Sequence, residues 1–318
     1  MHKNKVIIEK KNMNNQDNLM IFEISRMAAI NGPGIRTMIH FKGCNLDCRW
    51  CSTPESKSFA KQLSFVPAKC IKCLECVEKC PAGAISFSNL KGIEINRSYC
   101  TNCMECAKVC CSRALSVIGE NYSVYELMDL IKRDANLYRR SGGGVTLSGG
   151  EALLHVNAAM MELLTELKQE GISVGFDTAG YVEKCVLDKI IPFTDFFLWD
   201  VKLLDSYQHK KYTGKDNDVI LDNLRYIDSK GVDIYLRCPI IPGVNNNEEF
   251  FSKLASLAGE LHMVREIHLL PFHKLGEARY SKIGLESPYF NMGALQDDYI
   301  LEQQQKLAEQ GYKVKIIR

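Results

Sequence analysis

At 318 residues, with 46% hydrophobic and 25% charged side chains, the chain has the make-up of a soluble globular protein with room for one large domain and a small insertion. A formal net charge of +2 argues against a basic nucleic-acid surface or a polyacidic tail, and no apolar run approaches the ~18 residues that cross a bilayer. The outlying number is fourteen cysteines.

In chain order, residues 1–19 are a polar extension without the apolar core of a signal peptide, so the expected location is the cytoplasm. MIHF at 38–41 is expected as a short buried strand, and the first cysteine cluster follows it. Residues 66–119 hold two further cysteine clusters and break the rhythm of the rest. From residue 120 onward strands and amphipathic helices alternate. Ser123 and Glu126 form a capping box ahead of Leu127, Leu130 and Ile131. Strands are expected at 144–147, 172–178, 195–202, 233–241 and 266–272. Helices are expected at 157–171, 219–231, 248–261 and 297–311, several stopped by Gly. Such alternation predicts parallel strands with crossover helices, a full or partial α/β barrel whose chemistry gathers at the C-terminal strand ends. The expected core is 20–65 plus 120–318, with 66–119 as an insert.

All cysteines except Cys185 and Cys238 fall in the three clusters, and those two are expected to be buried thiols. Gaps of two and three residues suit metal chelation better than a disulfide framework. Within the insert, Cys70, Cys73, Cys76 and Cys80 recur 30 residues later as Cys100, Cys103, Cys106 and Cys110. CIKCLECVEKCP matches the bacterial ferredoxin run, in which the fourth cysteine ligates the other cluster. One [4Fe–4S] cluster then takes Cys70, Cys73, Cys76 and Cys110, and the second takes Cys100, Cys103, Cys106 and Cys80. Structural zinc sites do not share ligands in this crossed way. Cys111, where the first repeat has Pro81, is an alternative to Cys110, though the register favours Cys110.

In FKGCNLDCRWC, at 41–51, Cys44, Cys48 and Cys51 can hold three irons of a further cluster and leave the fourth open, as a catalytic metal site requires. The C-x3-C-x2-C spacing, with Trp50 before the third cysteine, resembles the signature of the radical SAM superfamily, whose open iron is chelated by the amine and carboxylate of S-adenosylmethionine (SAM). The flanks NGPGIRT (31–37), GGGVTLSGGEALL (142–154), DTAGY (177–181), WDVK (199–202) and LLPFHKLGEARY (269–280) extend the likeness. Together they resemble the glycyl-radical-enzyme activating enzymes, in the three-cluster type that carries a ferredoxin-like insert.

The resemblance implies a partial (β/α)6 radical SAM barrel with an inserted 2×[4Fe–4S] ferredoxin-like domain. It implies that Trp50, Cys51 and Ser52 border SAM, and that Gly150 and Glu151 receive its amino group. Asp200, Val201 and Lys202 would line the site, with Lys202 neutralising the carboxylate, while Arg237 and His273 lie near the ribose or carboxylate. Asp177, Thr178 and Asp200 match a monovalent-cation site, with oxygen ligands suited to a hard cation. Two positions depart from the family pattern: Asn31 stands where Asp is usual, and His155 where Gln is common.

The implied activity is reductive cleavage of SAM to a 5′-deoxyadenosyl radical, which takes a hydrogen atom from the Cα of a glycine in a partner glycyl radical enzyme. The electron would come from a flavodoxin or ferredoxin-type donor through the insert clusters, and neither nucleic acid nor membrane is an expected partner. A radical SAM enzyme acting on a small molecule is disfavoured by the absence of an added substrate domain. A two-cluster electron carrier leaves Cys44, Cys48, Cys51 and the Gly-Gly-Glu strand end unexplained.

Overall fold

A computed structural model describes residues 18–289, 293 and 295–318. Residues 1–17 of the expected polar extension lie outside the described residues, and Leu19 already opens a strand. That strand, β1 (Leu19–Ala28), runs antiparallel to β2 (Arg36–Phe41), pairing Ile24 with Ile39. The chain then enters the cysteine-rich region. There β3 (Gln62–Phe65) leads to the one-turn helix α1 (Glu75–Glu78) and the hairpin β4 (Ile85–Ser88) and β5 (Gly92–Ile95). A second one-turn helix, α2 (Glu105–Lys108), precedes β6 (Leu115–Ile118), which closes back on β3. The pairing of Gln62–Phe65 with Leu115–Ile118 forms the neck of the insertion. Strand β7 (Glu120–Tyr122) returns the chain to the free edge of β1.

From there helices and strands alternate as the periodicity requires. Helices α3 (Val124–Lys132) and α4 (Ala135–Ser141) precede β8 (Gly144–Gly149), and α5 (Ala158–Gln169) leads to β9 (Ser173–Thr178). Next come α6 (Lys184–Ile190), β10 (Phe196–Asp200), α7 (Ser206–Thr213), α8 (Asp218–Ser229), β11 (Asp233–Ile240), α9 (Glu248–Glu260) and β12 (Val264–Pro271). The short α10 (Glu277–Lys282), α11 (Asp297–Glu309) and β13 (Val314–Ile316) complete the chain. The capping box at α3 is reciprocal: the Glu126 carboxylate accepts from the Ser123 amide at 2.9 Å, and the Ser123 hydroxyl accepts from the Glu126 amide at 3.3 Å. Asn157 and Asn247 cap α5 and α9 one way only, their side-chain oxygens accepting from the amides of Met160 and Phe250.

Nine of the thirteen strands among the described residues form one sheet, ordered β13-β12-β11-β10-β9-β8-β2-β1-β7. The six expected strands β2 and β8 to β12 run parallel, and β13 adds a seventh parallel strand at one edge. The alternation of side chains along each strand sorts them onto two faces. Val145, Leu147, Phe176, Phe197, Trp199, Leu236, Cys238, Ile267 and Leu269 pack in one buried core with Leu163, Leu167, Leu224 and Leu254 of the covering helices. The intervening residues, Thr146, Ser148, Asp177, Asp200 and Arg237, therefore share the concave face. Cys238 is buried in that core as expected, but Cys185 is exposed. Helix α6 buries Leu187 and Ile190, and Cys185 falls on the other side of this short helix.

Candidate active site

The loop that carries Cys44, Cys48 and Cys51 leaves the C-terminal end of β2 and is fixed by backbone bonds. The Gly43 amide donates to the Ser56 carbonyl at 2.6 Å and the Cys44 amide to Lys57 at 3.2 Å. The amides of Asp47 and Arg49 donate to the carbonyls of Thr213 and Tyr212, tying the loop to the end of α7. Beneath it lies Lys42, fully buried, whose ammonium donates to the carbonyls of Glu55 (2.6 Å) and Ser58 (3.1 Å) and to Gln62 Oε1 (2.7 Å). Burial brings its pKa down to about 8. Lys42 thus ties the cysteine loop to the neck of the insertion. A lone lysine after a strand reads as a surface charge, so nothing local in the sequence marks it.

Cys48 is buried, while Cys44 and Cys51 are partly open. Burial pushes the Cys44 thiol up to about 12 and the Cys48 thiol up to about 11, so both become thiolates by binding a metal rather than by titration. The Leu46 amide points at Cys44 Sγ at 3.4 Å, a contact that stabilises negative charge on sulfur. Trp50 packs with Leu46, Ala179, Leu203 and Ile241, with its ring against Tyr212 and Tyr289. Ser52 is exposed, and the turn that follows His273 lies on it: a Cβ on Gly276 would sit 3.2 Å from the Ser52 Cα. His273 is exposed at the start of that turn.

The Ser148-Gly149-Gly150-Glu151 segment ends β8 directly against this loop. The Gly150 amide donates to Phe41 and the Glu151 amide to Gly43, at 2.8 and 2.9 Å. A side chain on Gly150 would collide with the carbonyl oxygens of Gly43 and Ser56. Glu151 is buried, and its carboxylate accepts from the Leu153 amide, the Ala179 amide and the Thr178 hydroxyl at 3.1, 3.0 and 2.7 Å. Burial still pushes its pKa up.

On the concave face, Asp200 accepts from the Lys202 ammonium at 2.7 Å. Burial alone would lower the pKa of Lys202, but Asp200 and the thiols of Cys48 and Cys44 more than offset it, so the ammonium is held above its ordinary range. Val201, between them, is buried and donates its amide to the Arg237 carbonyl. Asp177 accepts from the Ser148 hydroxyl at 2.8 Å, and burial, reinforced by Asp200 against the opposing Arg237, pushes its pKa up. Arg237 donates to the Asn31 side chain at 2.9 Å. Asp177, Asp200, Lys202 and Arg237 therefore come together below the cysteine loop. Thr178, one residue on from Asp177, faces the opposite way and is engaged with Glu151.

In the insertion the cysteines sort into two sets. One small pocket is lined by Cys70, Cys73, Cys76 and Cys110, and the other by Cys80, Cys100, Cys103 and Cys106. Among the described residues no three His, Cys, Asp or Glu side chains meet closely enough to hold one metal ion; each set lines a space instead. Cys111 is exposed and lines neither cavity.

The model of the radical SAM superfamily matches residues 93–254, a 4Fe-4S dicluster domain matches 69–114, and a 4Fe-4S single cluster domain matches 30–89. The choline trimethylamine-lyase activating enzyme of Oleidesulfovibrio alaskensis is 38% identical over 94% of this chain and 98% of its own. The chain belongs to the glycyl-radical-enzyme activating enzymes of the radical SAM superfamily. The trans-4-hydroxy-L-proline dehydratase activating enzyme of Clostridioides difficile is 39% identical over 84% of this chain and 88% of its own. Among solved structures, a radical SAM methyltransferase from Sphaerobacter thermophilus shares the fold, with a TM-score of 0.51 and 15% identity over 89% of this chain and 66% of its own. The protein is thus a radical SAM enzyme that activates a glycyl radical enzyme by reductive cleavage of SAM and abstraction of a glycine Cα hydrogen. No helix among the described residues is long and apolar enough to cross a membrane.

Proposed function

We propose that this activase works with three [4Fe–4S] clusters, in the cytoplasm, and takes its electrons from a flavodoxin or ferredoxin-type donor. The observation that carries the cluster count is the division of eight insert cysteines between two small pockets in the crossed sets of a two-cluster ferredoxin. Cys44, Cys48 and Cys51 would hold the third cluster, which supplies the electron that breaks the sulfonium C–S bond of SAM. On this reading residues 66–119 are the two-cluster module, and 20–65 with 120–318 the catalytic core.

The chain's own residues bind and orient SAM. The ammonium of Lys202, mostly buried and charged, neutralises the methionyl carboxylate. The glycine at 150 lets backbone approach the amino group, with Glu151 holding that strand end against β9. Trp50, Cys51, Ser52 and Val201 border the ligand, and Arg237 and His273 lie toward its ribose or carboxylate. Asp177 and Asp200, facing one another's charge, suit a monovalent cation; Thr178, whose hydroxyl is engaged with Glu151, would add only its backbone oxygen.

The partner is a glycyl radical enzyme entering by its glycine loop. Relatives named for choline trimethylamine-lyase and for trans-4-hydroxy-L-proline dehydratase stand at 38% and 39% identity, so identity alone selects neither. The test is anaerobic incubation of the reduced enzyme with SAM and purified candidates. A glycyl-radical EPR doublet should appear with one partner, together with methionine and 5′-deoxyadenosine. If SAM perturbed the EPR spectrum of no reduced cluster, the site assignment would be wrong.

A further inference from the structure

Arg97, in the insertion, makes a junction that the site described above does not use. Its Nη1 donates to the Leu63 carbonyl at 2.6 Å, and its Nη2 donates to the Lys282 carbonyl at 3.2 Å. Leu63 lines the cavity of Cys80, Cys100, Cys103 and Cys106, whereas Lys282 ends helix α10 of the core. The fit is close: a Cβ on Gly284 would stand 2.8 Å from Arg97 Nε. The guanidinium also acts electrostatically on the thiols of Cys100 and Cys106.

Helix α10 continues to the catalytic loop. Arg279 donates to the Glu55 carboxylate at 2.7 Å, and the buried Tyr280 hydroxyl, without a hydrogen-bond partner among the described residues, is within electrostatic reach of Cys51 and Cys48. Among the described residues, the set of Cys80, Cys100, Cys103 and Cys106 is therefore tied to the core through a permanent positive charge.

We propose that Arg97 is the positioning residue of the insert cluster bound by Cys80, Cys100, Cys103 and Cys106: it docks that cluster on helix α10 and holds its reduction potential up. This rests on the ligand sets given under the proposed function. A nearby cation favours the more negative, reduced form of a cluster and so raises its potential. Arg97 itself exchanges no electron and no proton. Loosening the insertion would admit water, and solvent exposure also raises a cluster's potential, so the direction of the change separates the charge from a merely structural role.

The experiment is an EPR-monitored redox titration of the full-length, iron-loaded enzyme. Cys73→Ala and Cys103→Ala, each removing one insert cluster, assign the signals, and Lys91→Gln, at an exposed lysine paired with Glu94, controls for loss of insert charge. In Arg97→Gln the Cys103-dependent signal should shift to lower potential while the Cys73-dependent signal stays in place. Arg97→Lys, which keeps the charge, should restore the wild-type value and guards against a glutamine variant that fails to load iron. No shift, an equal shift of both signals, or a shift upward would overturn the proposal while leaving the ligand sets standing. Failure of the wild-type enzyme to show two insert signals would overturn the ligand sets and the proposal together.

Discussion

Arg237 donates to the Asn31 side-chain oxygen at 2.9 Å and stops 3.9 Å short of the Asp177 carboxylate. A side-chain oxygen thus holds the guanidinium over the concave face, away from Asp177. Asn31→Ala would free Arg237 to close on Asp177, where Coulomb attraction in a mostly buried setting favours a tight pair. The expected result is SAM affinity weakened roughly 3- to 10-fold, about 1 kcal/mol for one lost orienting hydrogen bond. Asn31→Asp keeps an acceptor in place and should bind SAM within about twofold of wild type, the range a retained contact allows. Titrating SAM against the EPR change of the reduced cluster measures both. Unaltered binding in the alanine variant would remove Arg237 from the SAM site.

Lys202 and Asp200 make a second, shorter pair at 2.7 Å, 12% and 22% exposed. Replacing the lysine with methionine leaves Asp200 facing Asp177 with its nearest cation gone. Breaking a fully buried pair costs about 3–5 kcal/mol; the partial exposure of Asp200 brings the expectation to about 2 kcal/mol. Lys202→Met should lower the urea midpoint accordingly, and the Asp200→Asn/Lys202→Met double variant should recover part of that loss by removing the orphaned charge. SAM-dependent formation of 5′-deoxyadenosine should fall at least about 100-fold in the single variant if the ammonium meets the SAM carboxylate, the scale of one desolvated charge contact. A variant that lost stability but cleaved SAM normally would make the pair purely structural.

The parallel strands were legible because each is an apolar run with an alternating neighbour, from MIHF at 38–41 to EIHLLPF at 266–272, and both ferredoxin-like runs were legible from spacing alone. Strands β1 and β13 were not. β1 mixes Glu23, Ser25 and Arg26 into its run, and β13 is three residues long, so both depend on a neighbouring strand for their conformation. The least visible side chains were Arg36, Lys42 and Arg97. Arg36, fully buried, donates to the Val145 and Ser173 carbonyls and lies over the Phe196 ring at 4.6 Å. Partners of this kind are mostly backbone oxygens brought in from distant segments, and no residue pattern announces them.

Glu266 offers a pH test away from the clusters. Its carboxylate meets Lys313 at 2.5 Å, Lys315 at 2.7 Å and His268 at 2.9 Å, tying β12 to β13. Burial would raise its pKa, but the two ammoniums and His268 outweigh that and hold it down to about 2, against an ordinary 4.5. A depressed carboxylate stabilises the fold above its unfolded value and loses that stabilisation as pH falls through the folded one. Lys313 and Lys315 are 67% and 49% exposed, so screening reduces the contribution to roughly 1–2 kcal/mol. Glu266→Gln should therefore be less stable than wild type by that amount at pH 7, and the gap should narrow as pH falls below about 4.5. Urea midpoints of the two proteins, compared at each pH and again in 1 M salt, read this difference. A gap that widened on acidification would contradict the assigned sign.

Cys110 and Cys111 compete for one ligand position. Cys110 Sγ accepts from the Leu115 amide at 3.3 Å, much as Cys80 Sγ accepts from Ala84 at 3.2 Å in the first repeat. Amide hydrogen bonds to sulfur favour the thiolate that a cluster requires, and they lower the Cys110 pKa even though burial opposes them. Cys110 also lines the cavity of Cys70, Cys73 and Cys76, whereas Cys111 is exposed outside it. A fully loaded enzyme should contain about 12 irons per chain, four for each of three clusters. Cys110→Ala should leave about 8, since a cube losing one of its four protein thiolates in an exposed module is prone to dissolve, while Cys111→Ala should keep all of them. Iron and acid-labile sulfide, assayed together, decide the matter, and the reverse pattern would assign the ligand to Cys111 and break the 30-residue register of the repeat.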